Sequence, residues 1–150
     1  MPLEATEPAG GFAAEAESVA ARFAAAWASP ELDRFIALLH PNVRLLQPVT
    51  KPIVGRAAAR EEFAKLLAWL PDLRGTVDRT ALDRETLLIS WRLRFTLGRA
   101  PYELRTVDRI VVEGGLIRER EAYYDSLALM LALLARPSSW LGYWRYRGYV

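Results

Sequence analysis

The sequence predicts an α+β domain with its helices packed on one face of an antiparallel sheet. Three observations predict it. In the first half, apolar residues recur at helical spacing, at Val19, Phe23 and Trp27 and again at Ala59, Phe63, Leu66, Leu67 and Leu70. From Glu85 they alternate instead: Leu87, Ile89, Trp91, Leu93, Phe95 and Leu97 face one way, and Ser90, Arg92, Arg94 and Thr96 the other. Gly98-Arg99-Ala100 and Glu113-Gly114-Gly115 then punctuate the alternation as hairpin turns. Helices followed by a strand meander make one layer on another.

In chain order, residues 1–11 form a Pro/Gly/Glu leader expected to be flexible, and a first helix covers about Phe12–Ala28. Ser29-Pro30-Glu31 supplies an N-cap, a first-turn proline and an acid near the positive helix end. It starts a short second helix bearing Leu32, Phe35, Ile36 and Leu39, which His40-Pro41-Asn42 ends. Val43–Pro48 reads as a strand with Val43, Leu45 and Gln47 on one face. Gly55 opens a third helix that runs to about Leu70, where Pro71-Asp72 stops it. Strands follow at Gly75–Leu82, Glu85–Leu97, Pro101–Glu113 and Leu116–Asp125. Ser126–Ala135 is an almost wholly apolar helix closed by Arg136-Pro137. The domain spans 12–135, and 136–150 is an aromatic-basic tail.

Composition narrows the function. The 150 residues are 52% hydrophobic and 25% charged, which is globular and enough for one core. There is no cysteine, so no disulfide, thiolate metal site or cysteine nucleophile. One histidine, His40, supplies zinc or Ser–His–Asp chemistry poorly, and its place before Pro41 suits a helix cap. No cofactor and no metal is expected. A net charge of +2 argues against a nucleic-acid partner. No apolar run reaches the roughly 20 residues a membrane span needs, and the N-terminus lacks a signal-peptide pattern. A cytoplasmic location is expected.

One residue breaks the pattern. In Pro101–Glu113 the even positions are Tyr102, Leu104, Thr106, Asp108, Ile110 and Val112, so the apolar face carries Asp108 with it. A carboxyl group there must be paired, hydrogen-bonded or held protonated.

Certain strings, in this order and spacing, resemble the nuclear-transport-factor-2-like superfamily, and within it the SnoaL-like polyketide cyclase and ketosteroid isomerase branches. They are Ser29-Pro30-Glu31-Leu32-Asp33 leading to Leu38-Leu39-His40-Pro41-Asn42, then Pro52-Ile53-Val54-Gly55-Arg56 and Leu70-Pro71-Asp72-Leu73. Val107-Asp108-Arg109-Ile110 follows with Glu113-Gly114-Gly115-Leu116-Ile117, and Ala122-Tyr123-Tyr124-Asp125 comes last. The resemblance covers roughly Phe12–Ala135. It implies a cone-shaped fold, a curved antiparallel sheet wrapped around N-terminal helices and enclosing a pocket, in a homodimer. It implies no single chemistry, because the fold hosts isomerases, cyclases, dehydratases, epoxide hydrolases and binding modules.

Carried over residue by residue, Asp108 matches the isomerase branch's oxyanion aspartate. The isomerase tyrosine falls at Phe23 and its proton-shuttling carboxylate at Gln47, and neither can do that work. The cyclase and epoxide hydrolase branches' working aspartate falls at Ala122, three residues before Asp125. On Glu85–Leu97, Trp91 and Leu93 stand where the epoxide hydrolase has its arginine and aspartate.

Two readings follow. In one, Asp108 and Tyr124 form a metal-free acid–base or oxyanion site of isomerase, cyclase or dehydratase type. Phe23, Trp27, Gln47, Trp91, Tyr102 and Arg120 then line a pocket for a small apolar cyclic molecule. In the other, Asp108 and Arg120 form a structural ion pair inside a non-catalytic binding or interaction module. The tail, with three arginines and no acid, suits packing on the domain or a partner subunit, with a membrane surface as the alternative.

Overall fold

The computed structural model of the protein describes residues 10–149. The expected leader lies outside them apart from Gly10 and Gly11, which open α1 (Gly10–Ala28). This helix buries Ala16, Val19, Phe23, Ala26 and Trp27, the expected stripe widened by two alanines. α2 (Leu32–Ala37) is short, and here the structure departs from the sequence reading. Its N-cap is Glu31 rather than Ser29, and no side chain bonds to the helix start. The chain then extends sooner than expected. β1 (Leu39–Leu46) takes in His40 and Pro41, and the missing proline N–H costs little because the pairing of β1 breaks between Leu39 and Arg44. His40 therefore caps no helix; its Nδ1 accepts a hydrogen bond from the Asn42 backbone N–H at 3.1 Å.

A two-residue strand, β2 (Ile53–Val54), leads through Gly55 at φ 88° into α3 (Arg56–Trp69). β3 (Arg74–Asp83), β4 (Thr86–Leu97), β5 (Ala100–Glu113) and β6 (Leu116–Tyr124) form the expected antiparallel meander. The curved open sheet has six strands in the order β2-β1-β6-β5-β4-β3. One pair differs from the antiparallel expectation: β1 lies parallel to β6. Hairpin turns force the meander strands to alternate, whereas β2, α3, β3, β4 and β5 separate β1 from β6 and no local turn sets their direction.

The two faces of the sheet divide as the alternation predicts. Outside, charges ladder across strands: Arg92 grips Asp78 with contacts of 2.7 and 3.0 Å, and Arg109 bridges Glu119 and Glu121 at 2.6 and 3.0 Å. Inside, Phe23 and Trp27 of α1, Phe35, Phe63 of α3 and Trp91 of β4 form one aromatic cluster. Phe23 meets Trp91 edge-on at 5.0 Å and 81°, and Trp27 lies 4.8 Å from Trp91, a tilted geometry that suits ring quadrupoles. Gly75 of β3 permits that closeness. A Cβ on it would fall 2.8 Å from Trp27 Cβ and 2.9 Å from Trp91 Cζ3.

After β6, Asp125 caps α4 (Ser126–Leu134), its Oδ1 accepting from the Ala128 N–H at 2.9 Å. A 3₁₀ turn, Pro137–Ser139, then leads to α5 (Trp140–Arg147). The aromatic tail thus packs on its own domain: Tyr146 stacks on Trp69 of α3, with ring centroids 4.8 Å apart at 18°.

Candidate functional site

Three rows of inward side chains cross the strands. Leu87, Ile110 and Arg120 make one, Ile89, Asp108 and Ala122 the next, and Trp91, Thr106 and Tyr124 the third. Asp108 sits in the middle row with no solvent exposure. Its carboxylate is spoken for on both oxygens. Thr106 Oγ1, two residues earlier on the same face, donates to Oδ1 at 3.1 Å, and Arg120 Nε donates to Oδ2 at 2.5 Å. The guanidinium leans along β6 into this position and lies 5.5 to 5.8 Å from the ring centroids of Phe23, Trp27 and Trp91. Stacking over aromatic faces suits a weakly hydrated planar cation.

Beside this pair is a cavity of about 130 Å³ between the sheet, α3 and the C-terminal helices. Trp27, Phe63, Leu104 and Trp91 wall it, and Val49, in the loop after β1, stands exposed at its rim. Its volume is on the order of the ~150 Å³ apolar cavity that accommodates benzene. A single ring matches that volume.

The sequence-predicted residues divide around this cavity. Trp27, Gln47, Trp91, Arg120 and Tyr124 line it. Asp108 and Phe23 do not: Phe23 is buried behind the rings, and Asp108 is reached from the cavity only through Arg120 and Thr106. Tyr102 is on a different surface, a broader groove shared with Arg94 and Phe95, where Arg136 lies 5.4 Å over its ring. Burial pushes the Tyr124 hydroxyl above the ordinary tyrosine range while the nearby Arg120 charge draws it back, so it faces the cavity as a neutral donor.

The sequence reading missed a second polar set. Glu62 of α3 lines the cavity and accepts a hydrogen bond from Tyr146 Oη of α5. Glu62, Leu66 and Trp69 share a helix face at i, i+4 and i+7, so helical spacing offered a signal for Glu62. Nothing local signalled Tyr146, whose place depends on how the tail folds back. Among the described residues, no three His, Cys, Asp or Glu side chains gather as a metal site would require, and no helix is long and apolar enough to cross a membrane.

The family model for the SnoaL-like domain matches residues 20–120. In fold the chain is similar to a candidate SnoaL-like polyketide cyclase from Jannaschia sp. CCS1, with a TM-score of 0.70 and 17% identity over 80% of this chain and 92% of that one. It is similar to a hypothetical protein with a ketosteroid isomerase-like fold from Catenulispora acidiphila DSM 44928, solved with trimethylamine, at a TM-score of 0.70 and 18% identity over 81% and 95%. It also resembles SalBIII, an epoxide hydrolase/cyclase-like enzyme of pyran ring formation in polyether salinomycin, at a TM-score of 0.67 and 13% identity over 77% and 94%. No curated protein matches the chain in sequence. At these identities the solved neighbours speak for the fold, which is nuclear-transport-factor-2-like. With the family model matching two-thirds of its length, the chain belongs to the SnoaL-like domain family.

Proposed function

We infer that this protein binds a small apolar cyclic molecule in the cavity beside Arg120. The observation that carries the reading is the cavity itself: aromatic and aliphatic walls, single-ring volume, and one guanidinium held in place from behind. Apolar walls with a few fixed polar groups are the usual composition of a small-molecule site. Asp108 acts in this reading as a positioning residue. It neutralises Arg120 and fixes its Nε edge, leaving the terminal nitrogens for a ligand oxygen. Polyketide and polyether chemistry among the structural neighbours agrees with a cyclic ligand carrying oxygen. A homodimer is part of the proposal, supported by Val107 and Tyr123 standing exposed on the outer face of the sheet.

The second reading, a non-catalytic module with a structural Asp108–Arg120 pair, draws support from the sealed position of Asp108. It is compatible with binding, and it argues only against Asp108 as the group that exchanges protons with a ligand.

Titrating intrinsic tryptophan fluorescence with toluene, phenol and cyclohexanone tests the proposal, since Trp27 and Trp91 form the wall. Saturable quenching is expected, strongest for the oxygen-bearing probes, and Ala122→Leu, which fills the cavity, should abolish it. Linear quenching by every probe, unchanged in Ala122→Leu, would overturn it.

A further inference from the structure

We propose that Glu62 is the proton-accepting residue of this cavity and that Tyr146, delivered by the C-terminal helix, is its positioning residue. The proposal rests on the reading that the cavity binds a cyclic ligand and adds the chemistry done there.

Glu62 is the one carboxylate lining the cavity among the described residues. Its neighbour Glu61 shows how different the two positions are: Glu61 is exposed and pairs with Lys65 Nζ at 2.9 Å. Glu62, one residue on, turns toward the sheet beside Phe63. The Tyr146 hydroxyl donates to Oε1, which leaves Oε2 without a hydrogen bond among the described residues. The tyrosine is itself held, its ring stacked on Trp69 two helical turns beyond Glu62, and Tyr143 packs against the same indole at 5.4 Å. Gly142 lets α5 come this near; a Cβ there would lie 3.1 Å from Trp69 Cδ1. Burial and the Glu62 hydrogen bond push the Tyr146 hydroxyl far above its ordinary value, so it stays a donor and does not compete as the base. Both contributing tail residues, Tyr143 and Tyr146, fall beyond the region matched by the family model.

The cavity therefore holds a carboxylate and, separately, a fixed guanidinium. That combination suits removal of a proton from the carbon beside a ring carbonyl. The C–H bond breaks, its proton passes to Glu62 Oε2, and its electron pair forms the enolate double bond as the carbonyl pair moves onto oxygen. Arg120 donates to that oxygen. Return of a proton from Glu62 to carbon, at the same or a conjugated position, completes the step with no oxidant or metal. The charged and titratable groups around Glu62 are Glu61 and Lys65 on its own helix, Tyr143, Tyr146 and Arg147 on α5, and Tyr124 on β6.

The test is exchange of the α-hydrogens of cyclohexanone in deuterium oxide, followed by NMR, beside cyclohexanone binding followed by tryptophan fluorescence. Wild type is expected to give saturable exchange. Glu62→Gln should lower it about a hundredfold or more, the usual worth of a general base, with binding retained. Tyr146→Phe should lose much less rate, and lose it in kcat with KM unchanged, because the carboxylate stays in the cavity and loses only the hydroxyl that orients it. If Glu62→Gln proves unstable, Glu62→Asp carries the test, with reduced but measurable exchange expected at unchanged affinity. Saturable binding with no exchange, or exchange that survives in Glu62→Gln, overturns the assignment while leaving the binding proposal intact. Absence of saturable binding overturns both.

Discussion

Arg120 Nε reaches Asp108 Oδ2 at 2.5 Å although the two residues are not paired across the sheet. Opposite Asp108 is Ala122, and opposite Arg120 is Ile110. The contact is diagonal, a reach that a long side chain can make where a direct pair cannot form. Its consequence is that the small side chain of Ala122 clears a path for the guanidinium to lie over Trp27 and Trp91.

Breaking this pair should be costly. Arg120→Met leaves the fully buried Asp108 carboxylate with only the Thr106 hydroxyl, and loss of one partner of a buried pair destabilises by about 3–5 kcal/mol. Joint replacement, Asp108→Val with Arg120→Met, removes both charges and should recover most of that loss. Urea denaturation of the two variants checks this. Equal instability of the single and double variants would mean that packing over the aromatic rings, rather than charge pairing, holds the region.

The division between what was legible and what was not follows range. Asp108 stood out in the sequence because strand alternation is local: a carboxylate at an even position of β5 must face inward whatever the rest of the chain does. The strand faces, the two glycine hairpins and the stripes of α1 and α3 are legible for the same reason. The parallel β1–β6 pair, the entry of His40-Pro41 into β1 and the fold-back of α5 depend on partners distant in sequence, and no spacing encodes them. Phe23 and Tyr102 read as ligand-lining in the sequence because they are aromatic and fall on inward-facing positions. Inward-facing is not the same as cavity-lining: the rings of Trp27 and Trp91 take the wall and leave Phe23 behind them.

Gly75 should tolerate no side chain. Its φ is unexceptional, so the constraint is space alone, with both Trp27 and Trp91 inside 3.0 Å of where a Cβ would be. Gly75→Ala would press on two large rings, and overpacking of this kind costs about 1–3 kcal/mol. A lower melting temperature with a shifted tryptophan emission maximum is the expected result. An unchanged melting temperature would show that α1 can slide on the sheet.

Asp125 should matter for α4 and not for chemistry at the cavity. Its side chain satisfies the Ala128 N–H at 2.9 Å, and it does not line the pocket. Removing such a cap costs about 1 kcal/mol. Asp125→Ala should lower stability by that amount with probe affinity unchanged, and Asp125→Asn or Asp125→Ser should restore it. A fall in affinity without a fall in stability would assign this residue to the site instead.

Tyr146 predicts an alkaline weakness. Its hydroxyl in the folded protein is held above the ordinary value of 10.0 by burial and by the hydrogen bond to Glu62. Below that value folded and unfolded chains both keep the proton, and pH does not act through this group. Above it the unfolded chain releases the proton while the folded chain retains it. The native state then binds more protons, and stability falls as pH rises, by at most about 1.4 kcal/mol per pH unit for one such group. Tyr124, raised mainly by burial, acts in the same direction. In Tyr146→Phe that group's contribution is gone, so the stability difference between wild type and variant should be constant below about pH 10 and shrink above it. Urea midpoints measured across that range, with tyrosinate absorbance recorded alongside, decide the matter. A difference that holds constant into strong alkali would mean that Tyr146 ionises like a free tyrosine and that the α5 contact with Glu62 does not persist in solution.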